Sequence, residues 1–311
     1  MAETHLPSKQ PLVQGTWSSL LTLFGFILVG MAIGSILSVT LVSLIWGDGD
    51  FLLNLDLFDV NAEGSWGKIM LVQAVSHVFT FLLPSLLFWR WVERKNTRAF
   101  YLETRDSWKE LVPIFFLTVV LMPFTGLMAE WNESMKLPEG LSGVEQWMKE
   151  NESALARLTE FLMSFNSMGE LVIAILVIAV IPAIGEEILF RGILQRKLAE
   201  HWANIHLAIW VSAAIFSAIH FQFYGFLPRL LLGALFGYLY FWTGRVGMAI
   251  FAHFVNNAFT VLLMWANRQK LINIDISSTE SIPLGLSLLS LVVSIWLLRI
   301  IYKASPESSP T

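Results

Sequence analysis

The sequence predicts an all-α fold, a polytopic transmembrane helix bundle of about eight spans, on three observations. Of 311 residues, 55% are hydrophobic and only 14% charged, against about a quarter charged in a typical soluble domain. The deficit is concentrated in apolar runs that can cross about 30 Å of hydrocarbon, which takes roughly 20 helical residues. Lysine and arginine are also unevenly divided between the segments joining those runs, the asymmetry expected of a membrane topology.

The spans are placed at residues 20–45, 69–89, 111–129, 171–195, 204–223, 228–243, 246–265 and 282–302. A polar leader, 1–16, carries one basic residue, Lys9, and no charge falls between Ser18 and Trp46. A secretory signal has a shorter apolar core and a small-residue cleavage site, so this run is read as a retained first span. Residues 17–302 form a single transmembrane bundle, with its chemistry concentrated in 171–265, and 303–311 form a polar tail.

With the N-terminus inside, the inner segments hold 13 of the 20 basic residues, from Lys9 through Arg90, Arg94 and Lys95 to Arg299 and Lys303. The outer segments hold the other seven, together with 15 of the 24 acids. The expectation is a multi-pass protein of the cell membrane with both termini cytoplasmic. In the outer segment 130–170, Val144, Trp147, Leu155, Leu158, Phe161, Phe165 and Met168 recur at helical spacing. One or two amphipathic helices are expected there, lying on the interface or packing on the bundle. Gly30 with Gly34 and Gly233 with Gly237 are small-xxx-small pairs that allow close helix contact.

A net charge of -4 offers no basic face for nucleic acid. The absence of cysteine removes disulfides, thiolate metal sites and cysteine nucleophiles together. What remains is a small set of ionisable side chains at bilayer depth, where charge costs several kcal/mol and signals function.

The densest set is Ile181-Pro-Ala-Ile-Gly-Glu186-Glu187-Ile-Leu-Phe-Arg191-Gly192. Glu187 and Arg191, four apart with the acid first, pair on one helix face. Glu186, five residues from Arg191, points about 140° away on a helix of 3.6 residues per turn. A desolvated carboxylate free of its own helix's arginine suits a general base or acid. Pro182 withdraws a donor from the carbonyl four residues earlier and interrupts the helix ahead of the pair.

The fifth span ends Phe216-Ser-Ala-Ile-His220-Phe221, and the seventh carries His253-Phe-Val-Asn256-Asn257. Singly, each histidine reads as a packing residue, and His253 with Asn257, on one face, as an interhelical polar clamp. His77, beside Ser76 in the second span, is read as a packing residue too. Together, a glutamate, a histidine, and a histidine with an amide on three helices supply a base, a proton shuttle and oxyanion donors.

Glu-Glu-xxx-Arg, then Phe-xxx-His, then His-xxx-Asn, in that order on membrane helices, resembles the CPBP family. That family groups the type II CAAX prenyl endopeptidases with bacteriocin-processing and immunity (Abi) proteins. The resemblance covers about 171–265. It implies an intramembrane endopeptidase in which Glu186 and His220 activate the attacking water, His253 and Asn257 stabilise the oxyanion, and Glu187–Arg191 is a supporting pair. The implied partners are a peptide or membrane-protein substrate, prenylated if the CAAX branch applies, and the lipid bilayer.

Family members have also been called metalloproteases. Glu186, His220 and His253 could ligate zinc, but Asn257 is a poor zinc ligand, so a metal-free glutamate mechanism is favoured, with no cofactor. Two other classes remain open: a proton-coupled secondary transporter relaying through Glu186, His220 and Glu187–Arg191, and a non-catalytic scaffold or immunity protein. Transporter folds usually carry broken helices in matching halves, and only the Pro182 break is evident.

Other intramembrane chemistries lack their motifs. Gly47-Asp48-Gly49-Asp50 has the Gly-x-Gly-Asp form but no Tyr-Asp partner, no His-Glu-xx-His is present, and no Gly-x-Ser-Gly occurs.

One point strains the arrangement. At about 1.5 Å per residue, Glu186 falls nearer the inner side and His220 nearer the outer side, so a common depth needs a shifted or tilted fourth span. The topology is checked with single cysteines, since the chain has none. An impermeant thiol reagent on intact cells should label Ser142→Cys and spare Ser308→Cys; the reverse pattern inverts the assignment.

Overall fold

The computed structural model describes residues 15–47, 65–100, 108–165, 167–272 and 283–305. The leader before Gly15, the Asp48–Asp50 string and the tail after Ser305 lie outside the described residues. The helices that position the site are α1 (Thr16–Trp46), α2 (Ser65–Val92), α3 (Trp108–Glu133), α4 (Ser142–Leu162), α5 (Met168–Trp202), α6 (Ile205–Ala218), α7 (Phe226–Thr243), α8 (Val246–Arg268) and α9 (Leu284–Ala304).

Seven of these are long and apolar enough to cross a membrane, and the chain is a multi-pass, all-helical membrane protein. The outer helices are built for lipid rather than for water. α1 turns Ser19, Gly30, Gly34 and Ser38 inward and leaves Leu21, Phe24, Ile36 and Leu44 exposed. α9 buries Ser287, Ser290 and Ser294 against α3, where Ser287 Oγ donates to the Pro123 carbonyl at 3.1 Å and Ser290 Oγ donates to the carbonyl of Val120. Lipid tails give no hydrophobic drive for helix association, so small residues and hydroxyl bonds make the contacts.

The fifth expected span differs from expectation. α6 has 14 residues and rises only about 21 Å, short of a hydrocarbon core of about 30 Å. Helix ends at Ala218, and Phe221 then takes a left-handed φ of +52°, a conformation rare for a bulky residue. Contacts from other elements hold this turn: Asn151 Nδ2 on α4 donates to the Phe221 carbonyl at 2.6 Å, and Ser217 Oγ donates to the Phe226 carbonyl at 2.7 Å. Non-helical backbone at membrane depth is tolerated where it is buried in protein or faces a cavity.

The depth problem is removed by the α5–α6 hairpin. α5 runs on to Trp202, well past the expected end at 195, and the chain reverses through Ala203 (φ +50°) before Asn204 caps α6 by accepting from Leu207 N. Glu186 and His220 are each 17 residues from Ala203 (203−186 and 220−203). Residues equidistant from the turn of an antiparallel hairpin stand at one level.

Two helices are interrupted, where the sequence showed one. π-helical turns occupy Ile175–Val180 and Ile188–Gln195 in α5, on either side of Ile181–Glu187. In α2 they occupy Val78–Leu82 and Phe88–Val92, around Pro84. Such turns cluster at functional sites. The outer segment forms one long helix, α4, after a short 3₁₀ turn. Leu158, Phe161 and Leu162 of its C-terminal half pack with Trp66, Phe165 and Leu171, while Val144 and Trp147 remain exposed.

Gly30 illustrates how closely α1 and α2 meet: a Cβ added there would crowd the Phe79 backbone and lie 2.6 Å from Pro84 Cγ, whereas Gly25 has open space. Overpacking typically costs about 1–3 kcal/mol. Gly30→Ala should therefore lower the melting temperature in detergent, and Gly25→Ala should leave it unchanged or raised. Equal melting of the two variants would refute this account of the contact.

Candidate active site

Glu186 reaches its neighbours because Gly185 lets α5 approach α2. A Cβ on Gly185 would lie 3.2 Å from Phe81 Cβ and 3.4 Å from Leu82 N. This approach sets Glu186 Oε1 3.0 Å from Nε2 of His77. The nitrogen is not aligned for a ring hydrogen bond, so the contact is an ion-pair distance without hydrogen-bond geometry. Glu186 Oε2 has no hydrogen-bond partner among the described residues and lies 3.9 Å from His253 Nε2. Glu186 is only 4% exposed.

The reading of His77 as a packing residue is corrected by this geometry. His77 faces the carboxylate and stacks on Phe81. Its sole signal in the sequence was its polarity in an apolar span, and its partner lies on a helix far along the chain.

Glu187 points the other way, as the helical angle required. Its Oε1 accepts from Arg191 at 2.9 Å and from His253 Nδ1 at 2.8 Å, and both Glu187 and Arg191 are fully buried. Arg191 also donates to the Gly233 carbonyl at 2.6 Å and lies over the rings of Phe216 and Phe236. Phe236 stacks on His253 at 5.1 Å, and Phe216 presents an edge to both His220 and His253. The phenylalanine of Phe-xxx-His is thus a spacer that fixes two imidazoles and the arginine.

The hydrogen bonds assign tautomers. A carbonyl only accepts, so His220 Nδ1, 2.8 Å from the Phe216 carbonyl, carries a proton, leaving Nε2 as a lone pair when the ring is neutral. His253 is set the same way by Glu187. Its Nε2, nearest Glu186, therefore donates to an oxyanion only when the ring is protonated. Asn257 has a second duty that the sequence did not show. Pro182 has no N–H for the carbonyl of Ile178, and Asn257 Nδ2 donates to that carbonyl at 3.1 Å. Asn257 Oδ1 accepts from Asn256 at 3.1 Å, which leaves one amide N–H for other use.

Glu186, His220, His253 and Asn257 line one cavity of about 450 Å³, with His77, Gln73 and Arg229 among its other polar walls. Glu187 and Arg191 stand behind it. Thr159, Leu162 and Met163, at the end of α4, close one side. Sequence reasoning missed His77, Gln73 and Arg229. Among the described residues no three of His, Asp and Glu are grouped as ligands of one ion would be.

Residues 168–259 match the family described as type II CAAX prenyl endopeptidase Rce1-like, the stretch that holds Glu186, His220, His253 and Asn257. Two Bacillus subtilis proteins are similar over part of the chain. "Uncharacterized protein YpbD" is 32% identical over 88 residues, 27% of this chain and 42% of that protein. "Putative membrane peptidase YdiL" is 35% identical over 89 residues, 29% of this chain and 36% of that protein. The matched stretch thus spans less than half of either relative. No solved structure matches.

Removing one partner from a buried ion pair strands the other and typically costs about 3–5 kcal/mol. Glu187→Gln should therefore melt well below the parent protein in detergent, because Arg191 keeps no anion. Glu186→Gln, which leaves that pair intact, should melt close to the parent. Comparable melting of the two would show that Glu187 does not hold the bundle together.

Proposed function

We propose that the chain is an intramembrane endopeptidase that hydrolyses a membrane-associated peptide with water activated by Glu186. The observation that carries this is a carboxylate with one unpaired oxygen, sharing a cavity with three imidazoles. The family match and the relative named as a peptidase support it.

In this reading Glu186 takes a proton from water, and hydroxide attacks the scissile carbonyl carbon. His220, its Nδ1 proton held by Phe216, has Nε2 free to pass that proton toward the leaving amine. Protonated His253, oriented by Glu187, and the remaining Asn257 N–H face the developing oxyanion. His77 holds Glu186 in place. In this reading no step is assigned to a metal, Asn257 being a poor zinc ligand. The substrate is a peptide or membrane protein, prenylated if the CAAX branch applies. With both termini cytoplasmic, α4 and the turn at 221–224 lie on the extracytoplasmic side.

The scaffold reading has no comparable support; the proton-relay reading would use the same Glu186 and His220, and peptide cleavage is what separates it from the peptidase. Losing a general base typically costs about 10²–10⁴ in rate. Cleavage of a candidate peptide in detergent should fall by that factor in Glu186→Gln with melting preserved, and turnover of the parent should persist after dialysis against a strong chelator. Near-normal turnover in Glu186→Gln would end the glutamate assignment, and chelator-sensitive turnover restored by zinc would move the chemistry to a metal.

A further inference from the structure

One charged group in the cavity has no role in that mechanism. Arg229 lies in the first turn of α7 and lines the same cavity as Glu186. A cation at bilayer depth is costly and ordinarily pairs with an acid or a backbone carbonyl. Arg229 donates both terminal nitrogens to Gln222, to Oε1 at 2.8 Å and to the backbone carbonyl at 2.9 Å. Its Nε is buried without a partner, and among the described residues no carboxylate stands within ion-pair distance. Of its five N–H donors, two are engaged by neutral oxygens, and Glu152 and Glu186 act on its charge only from beyond ion-pair distance.

The guanidinium is also held in place. It lies against Gly225, where an added Cβ would sit 2.8 Å from Arg229 Cζ. Gln222 and Gly225 belong to the turn between α6 and α7, which Asn151 anchors from α4 at Phe221. The acid nearest in the sequence of contacts is Glu152 on α4, which accepts from Tyr224 N at 3.4 Å. Burial, the largest influence, raises the Glu152 carboxyl above the ordinary range despite that bond and the charge of Arg229. Glu152 thus bonds the turn and acts on the arginine without reaching ion-pair contact. The apolar lining of the same cavity includes Phe216, Leu232 and Phe236.

We propose that Arg229 is the anion subsite of this cavity and takes a carboxylate of the bound peptide, from its C-terminus or from an acidic side chain. The proposal rests on the endopeptidase reading for the nature of the ligand. The geometry suits it: a planar fork with donors to spare accepts a carboxylate by charge-assisted bonds, and the apolar walls accept the residues between that group and the scissile bond.

The test is equilibrium binding, in non-ionic detergent, of three fluorescent apolar heptapeptides to the full chain carrying Glu186→Gln, so that nothing turns over. The first peptide ends in a free acid, the second is its C-terminal amide, and the third is that amide with one internal glutamate. A charge-assisted contact corresponds to about tenfold or more in affinity. One of the acidic peptides should bind at least about tenfold tighter than the plain amide, and which one does so identifies the source of the carboxylate. Arg229→Gln should reduce that ratio to about one, and Arg229→Lys should retain part of it. A ratio is insensitive to a uniform loss of binding, so a merely structural role for Arg229 would not move it.

Equal binding of all three peptides to the Glu186→Gln chain overturns the proposal, even if the Arg229 variants fail to fold. A ratio that persists in Arg229→Gln overturns it as well. The same peptides offered to the parent chain separate the two readings. A tenfold ratio without any cleavage supports the anion subsite and counts against the peptidase. Cleavage with no preference for either acid leaves the peptidase standing and removes the subsite.

Discussion

The Glu187 Oε1 atom is the point on which the site depends. It accepts from Arg191 and from His253 at once, in a region from which water is excluded. A lone carboxylate or guanidinium at that depth would be too costly to keep, so each holds the other in one geometry. Through Arg191 the constraint reaches the Gly233 carbonyl on α7, and through His253 it reaches α8. Two helices, α7 and α8, are therefore fixed relative to α5. Glu186 follows: with its neighbour locked outward, the next residue along the helix can only face the other side, toward His77 and the cavity.

A second constraint comes from proline. Pro182 cannot serve the Ile178 carbonyl, and an unmet carbonyl in a membrane interior costs several kcal/mol. Asn257 meets it, so the polar residue one helical turn beyond His253 ties α8 to the interrupted part of α5. The π-helical turns on either side spread that interruption over Ile175–Gln195. A parallel interruption in α2 follows His77 directly. Both residues that meet across the α2–α5 contact thus stand next to helix that departs from α geometry, and Gly185 closes the distance between them.

Much of this could be read from the sequence, and the limits have physical causes. Long apolar runs locate spans because the bilayer sets a length. The division of labour between Glu186 and Glu187 follows from the 3.6-residue period and Arg191 alone. The shortness of α6 could not be seen, because Ile219, Phe221, Phe223 and Phe226 continue the apolar pattern. The helix stops there through the left-handed backbone of Phe221 and a bond from α4, neither of which is local in composition. His77 and Arg229 were missed for the same reason: each acquires its meaning from what lies opposite. Asn257 carries a backbone bond as well as its cavity face, a duty visible only once Pro182 and α8 are seen side by side.

The α4 helix connects these parts. Among the described residues it is the one long helix too polar to cross the bilayer, and its C-terminal end lines the cavity. Leu162 and Thr159 form wall, and Trp66 Nε1 donates to the Leu162 carbonyl at 2.9 Å, which joins that wall to α2. About two to three turns of helix away, Asn151 and Glu152 bond the turn that carries His220 on one side and Gln222 with Arg229 on the other. Trp147 adds a ring contact to Phe223 in the same turn. A turn this short cannot be displaced at Phe221 without moving its neighbours, so the position of α4 sets His220 and Arg229 together. The cavity thus takes one side from helices fixed by Glu187 and the other from a surface helix held by single hydrogen bonds. Of the two sides, the second has the weaker restraints.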